Sequence, residues 1–583
     1  MSDFYQKLTQ GVLVAGCIIA ATPPVWATSF TISSGETVTA AQTLLDGETG
    51  LIESGGFLNT TTTSITSGAN NTVITNNGTI SVNVDSVTVF SNGSTIINNG
   101  LIRTSGDNSA VTDFRGSGHN FTNNGTIITT GVGSEAFFNR ADNDVFNNNG
   151  LIQTSGVNSD VFEWIGENTI INNSGRIAAI GSATRAINGS NNADTLNLLS
   201  GSQIIGTIDL DNGTDIVNIS GANNSSTLTL TDVETINLLN GNGLLVGDVV
   251  TMVDPTGQSV SSAVLSSTTF AVHNVVNQRL AHHQPLKPIQ VATSELSSGM
   301  VFQERGPQIW GSALGEMRER DLEGIALGYD HNYVGFTGGY EVSFYKARIG
   351  LLGGFVRSTV KTTGDKFGRV RSVDTDTDSF FAGAYSQYFL GGINLTTTLM
   401  AGYEDQENDR AVVDNLNGFE TAQADFSSLF ISPSLTLSSA YVLDEYFELR
   451  PSVTFAYSAG WYDDYAESGT TRSDLIIDDR NVHALTGQLQ LAVAYSPYKE
   501  SEFEFRVGAK ARYTDNDDID VNLAGTDFQI PNASDDSVYG GYVGMNLRVV
   551  IKERINLVAD VEHGRAGGGE EHIALMLKLE GVF

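Results

Sequence analysis

A nucleophile needs a base beside it and a metal needs several converging donors, and this sequence offers few of either. Before residue 261 the only histidine is His119, in the turn Gly116-Ser117-Gly118-His119, and no Gly-x-Ser-x-Gly elbow precedes the C-terminal half. A serine triad requires a positioned base, so a lone histidine among glycines reads as a turn residue. Asp142 with Asp144, and Glu163 with Glu167, are paired carboxylates of the type that cleave glycosides. Sparse acids on a repeat instead occupy solvated faces. Asp194, Asp209, Asp211 and Asp215 lie in two Gly/Asn-x-Asp-x-apolar stretches 21 residues apart. These echo half of a calcium-binding nonapeptide, but without tandem copies or the double glycine they read as turn formers. Asp374-x-Asp376-x-Asp378 begins like a calcium loop, yet Ser379 stands where that loop needs glycine, so a solvated loop is expected. The sequence therefore predicts no catalytic residue, no cofactor and no metal.

The elements that carry these residues divide the chain. It has 583 residues, Lys+Arg 31 against Asp+Glu 66, and a net charge of -35. So acidic a chain is repelled by phosphate backbones, which excludes nucleic acid as a partner. Cys17 is the only cysteine, so no disulfide framework exists. No apolar run is long enough for a helical membrane span. Residues 28–260 hold 5 Arg, 21 acids and no Lys or Tyr, whereas 17 of the 18 Tyr lie at or after Tyr329. Residues 1–27 carry an apolar stretch from Gly11 to Ala21, then Pro23-Pro24 and Val25-Trp26-Ala27. They read as a secretory signal peptide cleaved after Ala27.

Residues 28–260 repeat. Ile74-Thr-Asn-Asn-Gly78-Thr-Ile80 returns around Gly100, Gly125, Gly150 and Gly175, at intervals of 22, 25, 25 and 25. A bulky apolar residue stands four before each glycine and an isoleucine two after. A third apolar or small position follows eleven later, at Val89, Val111, Ala136, Val161 and Ala186. Three apolar sites per period suit three short strands around a narrow core, the coil of a parallel β-helix. The glycine is expected to take a positive-φ corner. The paired asparagines 76/77, 98/99, 123/124 and 148/149 are expected to stack as amide ladders over nine or so coils.

Residues 261–300 read as a linker holding a helix from Phe270 to His282, capped by Ser266-Ser-Thr-Thr and stopped by Pro285 and Pro288. Within 301–583 the period becomes two, as in Phe447 to Tyr457, Phe503 to Tyr513 and Ile573 to Phe583. Twelve strands are expected, near 307–315, 331–343, 346–359, 378–390, 392–404, 426–438, 446–458, 483–496, 501–514, 538–551, 554–562 and 572–583. Long acidic connections follow the odd strands, such as 361–377 and 405–425, and mostly tight turns follow the even ones. That asymmetry belongs to a closed antiparallel barrel in an outer membrane. The fold class is thus all-β: a parallel solenoid, a short helix and a C-terminal twelve-stranded barrel.

Signal peptide, Asn/Gly solenoid, helix and terminal barrel together resemble a monomeric autotransporter of type V secretion. The most specific residues are Trp310-Gly-Ser-Ala-Leu-Gly315 at the barrel start and the alternating tail ending in Phe583. The resemblance implies a barrel in the outer membrane and a solenoid passenger on the cell surface. It implies a helix threaded through the pore by Phe270, Val276 and Leu280. It also implies that Phe583 helps the barrel-assembly machinery to recognise the last strand. Further partners are the outer-membrane lipid and an unknown surface ligand or a second passenger, which makes an adhesin or self-association rod the expected passenger and a surface hydrolase the alternative. Family members that cut their passenger do so at an asparagine pair in this helix. Here two valines separate Asn274 from Asn277, so the passenger is expected to stay attached.

Overall fold

The computed structural model describes residues 28–281 and 307–582, apart from 69, 90–91, 165, 221–224, 240–241, 322–326, 345–346, 363–371, 499, 517, 533–536 and 553–554. Two compact units divide the chain. One holds the solenoid through residue 236, and the other holds the barrel with residues 199–202, 219–229 and everything from 237 on.

In the solenoid, each period folds into three short strands that pair in parallel with the same strands of the next coil. Along the first sheet Ile74, Ile96, Phe121, Phe146 and Ile171 are in register, and along the second Ile80, Ile102, Ile127, Ile152 and Ile177. All ten are buried. The first sheet has ten strands, so the stack is slightly longer than the repeat count suggests. The third sheet corrects one expected register. Val89 aligns with Phe114 rather than Val111, because the first period is three residues shorter than the others. Five phenylalanines, Phe114, Phe121, Phe137, Phe146 and Phe162, fill the middle of the core with ring centroids 4.7 to 6.5 Å apart.

The repeat glycines are required for a different reason than expected. Gly78, Gly100, Gly125, Gly150 and Gly175 do not have positive φ. A Cβ on Gly125 would lie 2.1 Å from the carbonyl oxygen of Gly100, and one on Gly150 2.0 Å from that of Gly125. The coils approach too closely there for any side chain. Positive φ falls instead to other glycines, such as Gly93, Gly118 and Gly133, and to asparagines, including Asn108, Asn143, Asn158 and Asn168, whose short polar side chains tolerate it. The amide ladders form as expected. Asn76, Asn98, Asn123, Asn148 and Asn173 pass a buried hydrogen bond from coil to coil at 2.8–2.9 Å. Asn77, Asn99, Asn124 and Asn149 form the solvent-facing row.

The barrel has strands β1 (Gln308–Arg320), β2 (Tyr329–Ser343), β3 (Ala347–Thr362), β4 (Val373–Leu390), β5 (Ile393–Asp414), β6 (Gly418–Ser439), β7 (Phe447–Tyr462), β8 (Arg480–Tyr498), β9 (Ser501–Asn516), β10 (Ser537–Lys552), β11 (Ile555–Ala566) and β12 (Glu571–Val582). Each pairs antiparallel with its neighbour, and β1 closes on β12 from Gln308↔Val582 to Glu319↔Glu571. The apolar set faces outward, with Ile573, Leu575, Leu577 and Leu579 each about half exposed, while Lys578 and Glu580 point inward. The backbone pairing thereby runs round a closed ring with no free strand edge.

Several strands run beyond their expected ends. Residues 405–425, expected as a loop, continue β5 and β6 to a three-residue turn at 415–417. Asp374, Asp376 and Asp378 lie in β4, not in a loop, directly opposite Asp409, Glu407 and Asp405 of β5. Among the described residues, Lys361 and Arg357 of β3 pair with two of these six acids, at 2.6 Å from Asp374 and Asp378. Two long connections add Leu475–Ile477, Ile519–Leu523 and Thr526–Ile530 to a small separate sheet with its own apolar core.

Candidate functional site: the helix-filled pore

Residues 226–229 pair with 249–252, and a helical turn, Thr256–Ser259, leads into α1 (Ser261–Ala281). Helix α1 starts five residues before the expected cap, so Ser266 is inside it; His282 lies outside the described residues. Its 21 residues span about 31 Å, the thickness of a bilayer core rather than the shorter rod expected. It carries no acid and one arginine, Arg279, and it threads the barrel from the long-loop end to the tight-turn end.

The two sides of α1 meet different walls. Leu265, Val272, Val275, Val276 and Leu280 pack against Trp310, Leu314, Tyr333, Leu352, Val356, Phe381, Tyr385, Met400 and Phe430, drawn mainly from β1 to β6. The other side faces a cavity of about 90 Å³ whose wall carries Arg506, Lys510, Arg512, Asp560, Glu562 and Glu570. Hydroxyls on α1 bond to inward polar groups: Ser266 to Thr486 at 2.8 Å, Thr269 to Ser458 at 2.8 Å, and Ser267 to Glu316 at 3.0 Å. His273 sits between Ser432 at 2.9 Å and Ser434 at 3.1 Å. These polar contacts fall on β1, β6, β7 and β8, so polar groups occur on both sides of the helix and it lacks a clear amphipathic stripe.

Arg279 is the most heavily engaged side chain. It forms an ion pair with Glu341, donates to Gln308 Oε1 at 2.9 Å and to the Tyr385 hydroxyl at 3.2 Å, and lies 5.5 Å above the Trp310 ring. Trp310 Nε1 donates to the same hydroxyl at 2.9 Å.

Of the residues expected to act in targeting and translocation, Val276, Leu280 and Trp310 meet in one buried cluster. Phe270 is buried beside them on the cavity side, with Lys510 Nζ 5.0 Å from its ring. Ala27 and Phe583 lie outside the described residues. Asn274 lines the cavity, one turn from Asn277. Arg279, Glu341, Tyr385 and His273 were not singled out from sequence. The one available signal was a single arginine in an otherwise uncharged helix.

The solenoid residues considered for chemistry serve its stacking. Both ring nitrogens of His119 engage backbone, the Ser94 N–H at 3.2 Å and the Arg115 carbonyl at 3.1 Å. Asp144 Oδ1 accepts from His119 N–H at 2.7 Å, Asp194 Oδ1 from Thr169 N–H at 2.8 Å, and Asp215 Oδ1 from Asp194 N–H at 2.8 Å. Asp142 accepts from the Glu167 N–H at 2.9 Å. Asp209 lies 3.6 Å from Arg185, and Asp211 takes a left-handed turn. Among the described residues no group of three or more acids, histidines or cysteines converges as a metal site. Burial holds Asp144 and Asp194 up to about 7 and Asp215 up to about 6, and it holds His119 below its ordinary value.

Residues 309–562 match the autotransporter beta-domain family. The translocator domain of autotransporter NalP from Neisseria meningitidis is 13% identical, with a TM-score of 0.40 over 55% of this chain and 100% of that one. The beta domain of the Bordetella autotransporter BrkA is 15% identical, with a TM-score of 0.37 over 48% and 100%. The transport unit of AIDA-I from Escherichia coli is 12% identical, with a TM-score of 0.32 over 54% and 98%. No curated protein matches the chain. The twelve-strand barrel thus carries an autotransporter beta-domain, an outer-membrane barrel that follows a parallel β-solenoid in this chain.

Proposed function

We propose that the barrel delivers the solenoid to the cell surface, where it acts as an adhesive or self-associating rod. The observation that carries this reading is the chemistry of the first sheet. From Thr49–Ile52 to Ile216–Ile219, eight strands turn two residues each outward. None of the sixteen is charged; they are Thr, Asn, Val, Ile and Leu. A segment with 21 acids and 5 Arg repels its own copies nearly everywhere else. Asn147, Asn172, Asn197 and Asn218 run along this face as a hydrogen-bonded amide row at 2.7–2.9 Å. Such rows offer many weak, repeated contacts, which add as multivalent binding does.

Export needs no nucleotide in this reading, because each coil that folds outside templates the next and disfavours backsliding. The barrel-assembly machinery inserts the barrel by reading the strand that ends in Phe583, and lipid surrounds the apolar belt. The passenger stays attached. Removing residues 28–255 is expected to abolish both cell aggregation and surface binding; unchanged behaviour in both assays refutes the adhesive reading.

The hydrolase reading rests on Glu163 and Glu135, neighbouring carboxyls raised chiefly by burial, Glu135 up to about 7. Polysaccharides left uncut by the purified protein favour adhesion, whereas cleavage abolished by E135Q would establish hydrolysis.

A further inference from the structure

A barrel closes where its first strand meets its last, and in this chain the pore helix grips both sides of that seam. At the tight-turn end, Gln308 and Trp310 of β1 pair with Val582 and Glu580 of β12. Arg279 of α1 bonds to Gln308 at 2.9 Å, lies over Trp310, and brings Nε within 3.9 Å of Glu580 Oε1. It also pairs with Glu341 of β2, which is opposite Gln308. At the long-loop end, Arg318 of β1 reaches Glu570, next to β12, at 3.0 Å, and also bonds to Ser267 of α1 at 3.0 Å.

Electrostatics makes the first contact decisive. The Glu341 and Glu580 side chains are 0% and 4% exposed, in a wall where an uncompensated carboxylate is costly. Lys578 accompanies Glu580 at 3.1 Å, but Glu341 takes its ion pair from the helix. With α1 seated but Arg279 removed, Glu341 would stay buried without the arginine that pairs with it.

We propose that Arg279 is a seam latch: seating of the helix end locks β1, β2 and β12 together, so that closure and plugging are one coupled event. Coupling of this kind is reciprocal, and a loosened seam loosens the helix by the same factor. Arg279 is a positioning residue here. Its role differs from that of His273, which contacts β6, away from the seam.

Amide hydrogen exchange on the full-length protein in detergent tests this. In R279A the seam amides, 308–312 and 578–582, are expected to exchange at least about tenfold faster, while those of β5 and β6 keep their protection. R279K, which keeps the charge and loses the fork, is expected to fall between R279A and the parent. H273A is expected to leave the seam unchanged. Unaltered seam exchange in R279A, or equal loss all round the barrel, overturns the latch. If R279A does not assemble, the charge swap R279E/E341R decides: a folded barrel with a protected seam supports the latch, and failure to recover overturns it.

Discussion

Acidifying the solenoid from pH 7 to pH 5 should stabilise it, against the usual trend for a protein so rich in acids. Asp144, Asp194 and Asp215 are 0%, 2% and 0% exposed, each accepting a backbone N–H from the adjacent coil. Burial lifts Asp144 and Asp194 from 3.8 to about 7 and Asp215 to about 6. Between the ordinary and the raised value the folded chain holds protons that the unfolded chain has released. Unfolding then sheds protons, so stability rises as pH falls. For a group moved from 3.8 to about 7, the gain between pH 7 and pH 5 is about 2 kcal/mol, an order-of-magnitude figure for each of Asp144 and Asp194. Glu135, Glu163 and Asp85 are raised by burial and act in the same direction. His119 acts oppositely: held low by burial, it takes up a proton more readily when unfolded and costs stability below its ordinary value. Urea unfolding of the full-length protein, followed by circular dichroism at pH 5, 6 and 7, reads the sum. In D144N the dependence should shrink by one proton's worth, because the amide still accepts the His119 N–H without titrating. A midpoint that falls on acidification, or a D144N slope equal to the parent's, refutes the reasoning.

Four further outcomes are expected. N123A severs the buried ladder on both sides and should cost the solenoid about 2–4 kcal/mol in urea unfolding, whereas N124A on the exposed row should cost under about 1 kcal/mol. G125A places a methyl 2.1 Å from the Gly100 carbonyl and should destabilise at least as much, seen as a lowered urea midpoint. N172D with N197D puts charge on the uncharged face and should suppress cell aggregation, while Q153D on the second sheet should not. L577R, at the middle of β12 and facing lipid, should cost about 2–4 kcal/mol and lower the temperature at which the folded barrel band disappears on a semi-native gel.

The sequence displays what periodicity controls. A 25-residue period with three apolar phases yields three sheets, and alternation over 307–583 yields twelve strands with the correct faces. What it conceals follows from how polarity is read. Asp405, Glu407 and Asp409 project from β5 into water, so the alternation disappears although the backbone pairing continues. Helix α1 shows no clear stripe because its polar side chains reach strands on both sides of the pore. Arg279 finds its partners 29 to 301 residues away, on strands that only the closed ring brings together. The glycines were located correctly for the wrong cause, since a close approach between coils leaves the same mark on a sequence as a left-handed turn.

The acids facing one another across β4 and β5 reverse a familiar expectation. Directly opposed like charges repel, and here Asp374↔Asp409, Asp376↔Glu407 and Asp378↔Asp405 stack three such pairs, with two paired cations among the described residues to soften them. Mobile ions screen repulsion as readily as attraction. Where most protein edges loosen as ionic strength climbs, this rim should hold more firmly in brine than in dilute buffer.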